Sequence, residues 1–217
     1  MQSPPYFLDQ DIRDALKIAL RELDGTAAII DELPLLRGRG RADLAFVNGE
    51  LCGFEIKSEA DSLVRLGVQA ENYGNIFEFN TLVAAKKHLE LAPKRIPQSW
   101  GIIEAKSVNG RIELLHRRRA RRNHNLCNSA LALLLWKNEC LRILKKAGVS
   151  ARSGAPVIDL WKHVESLNTE YLCGEVREAL KRRQALWAAR FAFVQITRIG
   201  EKGQRKTSAW ISTALAK

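Results

Sequence analysis

The sequence has few of the features that mark several protein classes. Its cysteines show no C-x-x-C spacing, so a disulfide framework, a zinc ribbon or an iron–sulfur cluster is not indicated. No run of about 18 apolar residues occurs, which argues against a transmembrane helix. The N-terminal Met-Gln-Ser-Pro-Pro-Tyr lacks the charged-then-apolar pattern of a signal peptide. We therefore expect a cytoplasmic protein with reduced thiols and no membrane partner.

Acidic residues are scarce in the second half of the chain. Residues 1–110 hold 13 Lys/Arg and 16 Asp/Glu, a net charge of −3, whereas residues 111–217 hold 22 and 8, a net charge of +14. The densest charge is Arg117–Arg122, with five arginines in six positions. Such a run either stays solvated as a linker or contacts phosphates. The uneven distribution favours a polyanionic partner, although a basic surface without a partner would have the same composition.

The apolar patterns predict an α/β fold. A chain of 217 residues that is 46% hydrophobic can form one compact domain with a helical extension, or two small domains. Helical patterns begin at Asp9 or Asp11, at Asp61, at Leu126, at Pro156 and at Glu170. Strand patterns cover residues 27–33, 44–47, 51–56, 80–85, 100–105 and 111–116. We predict a mixed central sheet flanked by helices in residues 1–116, an Arg-rich linker at 117–123, and a basic helical extension at 124–217, with a loose loop or tail at 198–206.

Two carboxylates and a lysine are placed on a predicted hairpin. Asp43 lies on its first strand, and Glu55 and Lys57 lie on its second, where residues two apart share a face. A two-residue turn at Asn48-Gly49 would put Asp43 and Glu55 on opposite faces. A three-residue loop, 48–50, would pair them on one face.

Two carboxylates and a lysine on one face are typical of a site that hydrolyses phosphodiester bonds. Two carboxylates can hold a hard divalent cation that keeps water ligands, as Mg²⁺ prefers, and a lysine can stabilise developing charge. The alternative is that Glu55 and Lys57 form a surface ion pair on a solvated sheet. Because both strands are otherwise apolar and a helix follows at once, a solvated face is disfavoured. On that helix, Arg65, Gln69 and Tyr73 lie four residues apart and so share one stripe that can cover the strands.

These residues resemble a known family. Asp43, Glu55-Ile-Lys57 and Gln69-x-x-x-Tyr73 resemble the PD-(D/E)XK nuclease superfamily, and the Gln–Tyr pair is similar to the extra motif of its RecB-type members. The longer string around them resembles a bacterial family of largely uncharacterised proteins assigned to that superfamily. The resemblance covers about residues 9–116. Ala42 stands where that superfamily often has proline.

The resemblance implies a restriction-endonuclease-like fold and a metal-dependent nuclease, with DNA as the favoured substrate. Asp43 and Glu55 would bind Mg²⁺ or Mn²⁺, Lys57 would act on the attacking water, and Gln69 and Tyr73 would position the site. An acidic residue of the first helix–strand region sometimes joins the metal; Glu32 is the first candidate and Asp14 the second. The residues expected to contact nucleic acid are Arg41, Arg65, Arg117, Arg118, Arg119, Arg121 and Arg122.

Two other functions remain open at this point. A non-catalytic nucleic-acid-binding module could keep the same fold, and the chain could be a protein-interaction subunit of a defence or repair system. The sequence does not distinguish DNA from RNA, or single-stranded from double-stranded substrates.

Overall fold

The computed structural model describes the backbone of residues 7–200 and side chains as far as residue 186. Six strands form one sheet in the order β1 to β6. Strands β1, β2 and β3 are antiparallel neighbours, β3, β4 and β5 are parallel, and β6 returns antiparallel to β5. The strands are β1 Ala28–Leu35, β2 Gly40–Val47, β3 Leu51–Lys57, β4 Phe79–Ala85, β5 Gly101–Val108 and β6 Arg111–Arg118.

Helices flank this sheet, and further helices follow its last strand in the chain. They are α1 Asp9–Leu23, α2 Leu66–Gly74, α3 Asn128–Ala132, α4 Lys137–Lys146, α5 Val157–Glu165 and α6 Thr169–Gly200. The prediction of a mixed α/β fold with a C-terminal helical part is therefore confirmed. No helix in residues 7–200 is long and apolar enough to cross a membrane, and the cytoplasmic location stays a prediction.

The two faces of the sheet carry separate apolar clusters, because strand side chains alternate between faces. The buried stripe Ile12, Leu16 and Leu20 of α1 packs with Leu44, Phe46, Phe54 and Ile56. On the other face, side chains of α2 and of the C-terminal helices form the larger cluster. Gly53 is needed there, because a Cβ at this position would lie 2.5 Å from the Phe77 ring.

Two predicted helices differ from the observed ones. The helix expected from Asp61 begins only at Leu66, because the Asp61 carboxylate accepts hydrogen bonds from the backbone N–H and the hydroxyl of Ser58. That local alternative holds residues 58–61 in a turn. Strands β3 and β4 lie within one residue of their predicted bounds, whereas β2 begins four residues earlier than the pattern placed it.

The single helix predicted for residues 126–147 is wrong, since α3 and α4 are separate helices. The N–H of Trp136 donates to the Glu139 carboxylate at 2.7 Å, and the indole N–H of Trp161 donates to the carbonyl of Leu135 at 3.1 Å. The N–H of Trp136 and the carbonyl of Leu135 are therefore bonded to side chains, and not to the backbone partners they would have in one continuous helix. A side-chain cap for α4 and a tertiary contact explain the interruption.

The chain forms two compact units, Met1–Lys181 and Arg182–Lys217. The first holds the sheet, helices α1 to α5 and the start of α6; of the second, the structure describes residues 182–200 as helix. The predicted division at residues 117–123 stays a prediction, although one apolar cluster draws residues from both sides of it. Of the predicted tail at 198–206, residues 198–200 belong to α6, and residues 201–206 lie outside the described part of the chain.

Candidate functional site: a polar cleft beside α2

The turn between β2 and β3 has three residues. Val47 pairs with Leu51 and Leu44 pairs with Phe54, which leaves residues 48–50 in the loop. This is the register that places Asp43 beside Glu55 on one face of the sheet. The opposite arrangement, in which a two-residue turn separates the carboxylates, is not the one observed.

A cleft of about 790 Å³ opens over this end of the hairpin, between β1, β2, β3, α1 and α2. It gathers the predicted site residues outside the arginine run, with the exception of Asp14. The lining includes Glu32, Arg41, Asp43, Glu55, Lys57, Arg65, Gln69 and Tyr73. Asp14, the second candidate for a third acid, lies on the exposed face of α1 and accepts a hydrogen bond from Gln10 instead.

Glu55 and Lys57 form a buried ion pair. Glu55 is fully buried and Lys57 is 6% exposed, and the Lys57 Nζ donates to Glu55 Oε1 at 2.5 Å. The second oxygen, Oε2, is buried and has no hydrogen-bond partner. Buried polar atoms normally have partners, so an oxygen without one stands out on a residue that lines the cleft.

Asp43 is the second carboxylate of the cleft. Its Oδ2 accepts the N–H of Ile56 at 2.7 Å, and its Oδ1 lies 3.9 Å from the Arg13 guanidinium. Burial, followed by the nearby charge of Glu55, raises the pKa of Asp43 to about 7, against the lowering effect of the Ile56 hydrogen bond. Asp43 therefore changes charge near neutral pH.

Tyr73 and Gln69 reach the cleft from α2. The Tyr73 hydroxyl accepts the N–H of Asp43 and donates to the carbonyl of Phe54, both at 3.0 Å. This fully buried tyrosine thus links β2 to β3 below the carboxylates, and its burial raises its pKa well above the usual value. Gln69 is half-buried, and its Oε1 is a second buried acceptor without a partner.

Glu32, the third carboxylate predicted to join the metal, is already paired with two arginines. Its carboxylate lies 3.0 Å from Arg13 and also pairs with Arg41, and its φ of 54° is in the left-handed region. Arg13 is a site residue that the sequence analysis missed; it is 6% exposed, pairs with Asp9 at 2.9 Å and donates to the carbonyl of Asp43. The i,i+4 spacing from Asp9 was the one available signal.

The arginine run, which we call the basic segment (residues 117–122), is held against the sheet. Arg117 donates to the buried Glu104, and Arg118 donates to the carbonyl of Trp100 at 2.7 Å. Arg122 pairs with Glu78 at 2.7 Å and with Glu50. Three of the five arginines in this run, all predicted to contact nucleic acid, therefore have structural partners.

The other two arginines of the basic segment are presented outward. Arg119 and Arg121 are exposed, and among the described residues neither pairs with a carboxylate. The backbone of this stretch is fixed, since the N–H of Arg121 donates to the carbonyl of Ser99 at 2.8 Å. A Cβ on Gly101 would come within 3.0 Å of the Ala120 nitrogen, so the segment lies directly on β5.

Comparisons with known proteins give one family. Residues 10–199 match the sequence profile of the family described as "Bacteriophage P4 protein cII". A curated relative, "Protein cII" of Enterobacteria phage P4, is 34% identical over 124 residues, which are 57% of this chain and 47% of the relative. The chain thus spans about half the length of this curated relative. No solved structure matches the chain.

These matches overturn the predicted family and enzyme class. The profile covers most of the chain, and neither its description nor that of the relative names a nuclease. Membership of the PD-(D/E)XK superfamily and the predicted nuclease or hydrolase activity are therefore wrong. The reason is that one acid, an E-x-K triplet and a Gln–Tyr pair describe a cleft geometry, and geometry of this kind does not identify a reaction.

Proposed function

This chain belongs to the family of bacteriophage P4 protein cII, and we propose that it is a non-catalytic protein that binds nucleic acid, with DNA as the first candidate. The observation that carries the proposal is the basic segment, which is fixed to the sheet and presents Arg119 and Arg121 to solvent. A flexible run of arginines would have to be ordered on binding, whereas this one is already in place.

Electrostatics supports the same proposal. Residues 111–217 carry a net charge of +14, so a polyanion is attracted to this half of the chain before any specific contact forms. Arginines that contact phosphates release counterions from the nucleic acid, which gives affinity without requiring a particular base sequence. At the rim of the cleft, Arg65 is exposed and adds a further cation.

The test compares two variants that remove the same charge. Arg119→Ala/Arg121→Ala should bind a DNA oligonucleotide roughly tenfold more weakly than wild type, which corresponds to about 1.4 kcal/mol. The matched control is Arg111→Ala/Arg152→Ala, which removes two exposed arginines outside the basic segment and should keep most of the affinity. Fluorescence anisotropy at one salt concentration measures both. Equal losses in the two variants would show that only overall charge matters.

For the cleft, we propose that Asp43 and Glu55 bind Mg²⁺ or Mn²⁺. The supporting observation is the free Oε2 of Glu55 beside a second carboxylate. Glu32 does not contribute, because Arg13 and Arg41 already neutralise it. No group of three or more His, Cys, Asp or Glu among the described residues is arranged to hold a metal. A cation on two carboxylates would keep most of its water ligands, as Mg²⁺ does, and would supply positive charge for a phosphate.

Cation binding has a direct test that needs no activity. Titration of Mn²⁺ with protein, followed by the electron paramagnetic resonance signal of the free ion, should show binding by wild type and a loss of about tenfold or more in Asp43→Asn. Asp14→Asn, which removes an exposed carboxylate of α1, should bind like wild type. If wild type leaves the Mn²⁺ signal unchanged, the cleft holds no cation.

A further inference from the structure

Helix α2 separates the cleft from a second cavity on its other side. This cavity has a volume of about 660 Å³. Gly67, Ala70 and Gly74 of α2 form one wall, and residues next to β5 and the basic segment form the others, among them Ser99, Trp100, Asn123 and Asn125. Polar side chains and small residues therefore face each other across it.

Asn80 in this cavity has an unused acceptor. The residue is 2% exposed, and its Nδ2 donates to the carbonyl of Phe77 at 3.3 Å, which fixes the orientation of the amide. The remaining atom, Oδ1, is buried and has no partner. Such an atom is costly unless a donor reaches it, so a ligand that carries an N–H group would gain a hydrogen bond here once a small shift of the cavity wall exposes the oxygen.

The glycines of α2 leave room for a flat group. Neither Gly67 nor Gly74 has positive φ, and a Cβ at either position would meet nothing within 4 Å. Glycine weakens a helix relative to alanine, and here neither the backbone conformation nor close packing requires it. The two positions therefore keep the wall of the cavity open.

The cavity also lies beside the basic segment. Ser99, which lines it, accepts the backbone N–H of Arg121 at 2.8 Å. Asn123, another lining residue, follows Arg122 directly and is held by hydrogen bonds to the carbonyls of Gly74 and Phe77. Residues that line the cavity are therefore bonded to the basic segment or adjacent to it in the sequence.

We propose that this cavity binds an unpaired nucleobase, with Asn80 Oδ1 accepting an N–H from the Watson–Crick edge of the base. The inference rests on the proposed nucleic-acid binding and names its substrate class, a strand with unpaired bases. In a duplex the complementary base occupies that edge, whereas proteins that read single strands bind it directly. The small residues of α2 lie along one flat side of the bound base.

The experiment uses the full chain and three DNA ligands of equal length: a single strand, the same strand with several abasic sites, and a duplex. Wild type should bind the single strand about fivefold or more tightly than the abasic strand, which keeps the phosphates but lacks bases. Asn80→Leu and Gly74→Leu should each lose this preference. Gly154→Leu adds the same side chain in open space elsewhere and should keep it.

The outcomes separate this inference from the proposed function. Arg119→Ala/Arg121→Ala should weaken all three ligands while keeping the preference for bases. If wild type binds the single and abasic strands equally, or if both cavity variants keep the preference while folded, the base site is wrong and phosphate binding stands. If wild type binds no DNA, the proposed function fails. In that case, calorimetric titration with cytidine and thymidine monophosphates tests the base site on its own. The base site is overturned if neither nucleotide binds, or if Asn80→Leu binds them like wild type.

Discussion

Asp43 makes the stability of the protein depend on pH near neutrality. Burial and the charge of Glu55 raise its pKa to about 7 from 3.8. A carboxylic acid with a raised pKa holds its proton more tightly in the folded state. Its contribution to stability is therefore complete below about pH 3.8 and is lost as the pH rises through about 7.

Asp43→Asn should remove this dependence, because the amide keeps an acceptor for the Ile56 N–H but carries no charge. With chelator present, the variant should unfold at higher urea than wild type at pH 8, by at most about 4 kcal/mol in the free energy of unfolding. The difference should shrink as the pH falls toward 4. Asp14→Asn is the control for a change of charge on the surface. A variant that is less stable than wild type at pH 8 would show that ionised Asp43 supports the fold.

The sequence allowed part of the cleft to be predicted at this scale. Asp43, Glu55 and Lys57 share a face because of strand alternation and the number of residues in the turn, and both could be weighed from the sequence. The engagement of Glu32 by Arg13 could not, since it depends on a left-handed backbone conformation and on a contact between separate elements. The role of Tyr73 as a link between strands was equally hidden.

At the scale of elements, Glu78 joins three parts of the first unit. This residue, 4% exposed, accepts the N–H of Leu51 at the start of β3 and pairs with Arg122 of the basic segment and Arg177 of α6. Burial alone would raise its pKa, but the hydrogen bonds from Arg177 and Leu51 outweigh burial and lower the pKa to about 2. The carboxylate holds the end of the basic segment in place.

Glu78→Gln should therefore cost about 2 kcal/mol in the free energy of unfolding at pH 7, since two arginines lose their buried partner. The carboxylate's contribution is present above about pH 4.5 and is lost as the pH falls through about 2, so the two proteins should converge in acid. Urea unfolding across this range measures it, with the exposed Glu90→Gln as control. A constant difference between pH 2 and pH 7 would mean that the cost comes from shape and not from charge.

The elements themselves were predicted well where the pattern is local. Strand alternation and the stripe of α1 gave the six strands and the first helix, although β2 begins four residues earlier and β5 ends three residues later than predicted. The late start of α2 and the gap between α3 and α4 depend on side chains that bond to backbone, Asp61 to Ser58 and Glu139 to Trp136. The gap also needs the contact of Trp161, which is 26 residues away from Leu135 and which no local pattern reports.

At the scale of the whole molecule, the family overturns the function that the cleft motif predicted, and the charge distribution supports the different function proposed above. The motif predicted a nuclease, whereas the chain belongs to the phage P4 cII family. The basic half and the fixed basic segment do not depend on the nuclease prediction, and they carry the proposal of nucleic-acid binding. The predicted role of the arginine run changes in one respect. Arg117, Arg118 and Arg122 bond to other parts of the fold, so only Arg119 and Arg121 remain as the proposed phosphate contacts.

The dependence of DNA affinity on salt concentration tests this central claim most directly. For wild type, the logarithm of the association constant should fall linearly and steeply with the logarithm of the salt concentration, because bound arginines release counterions. In Arg119→Ala/Arg121→Ala the slope should become less negative by roughly 1.5, the loss of two phosphate contacts, while Arg111→Ala/Arg152→Ala keeps the wild-type slope. A slope that is unchanged in Arg119→Ala/Arg121→Ala, or wild-type protein that binds no DNA at low salt, would contradict the account.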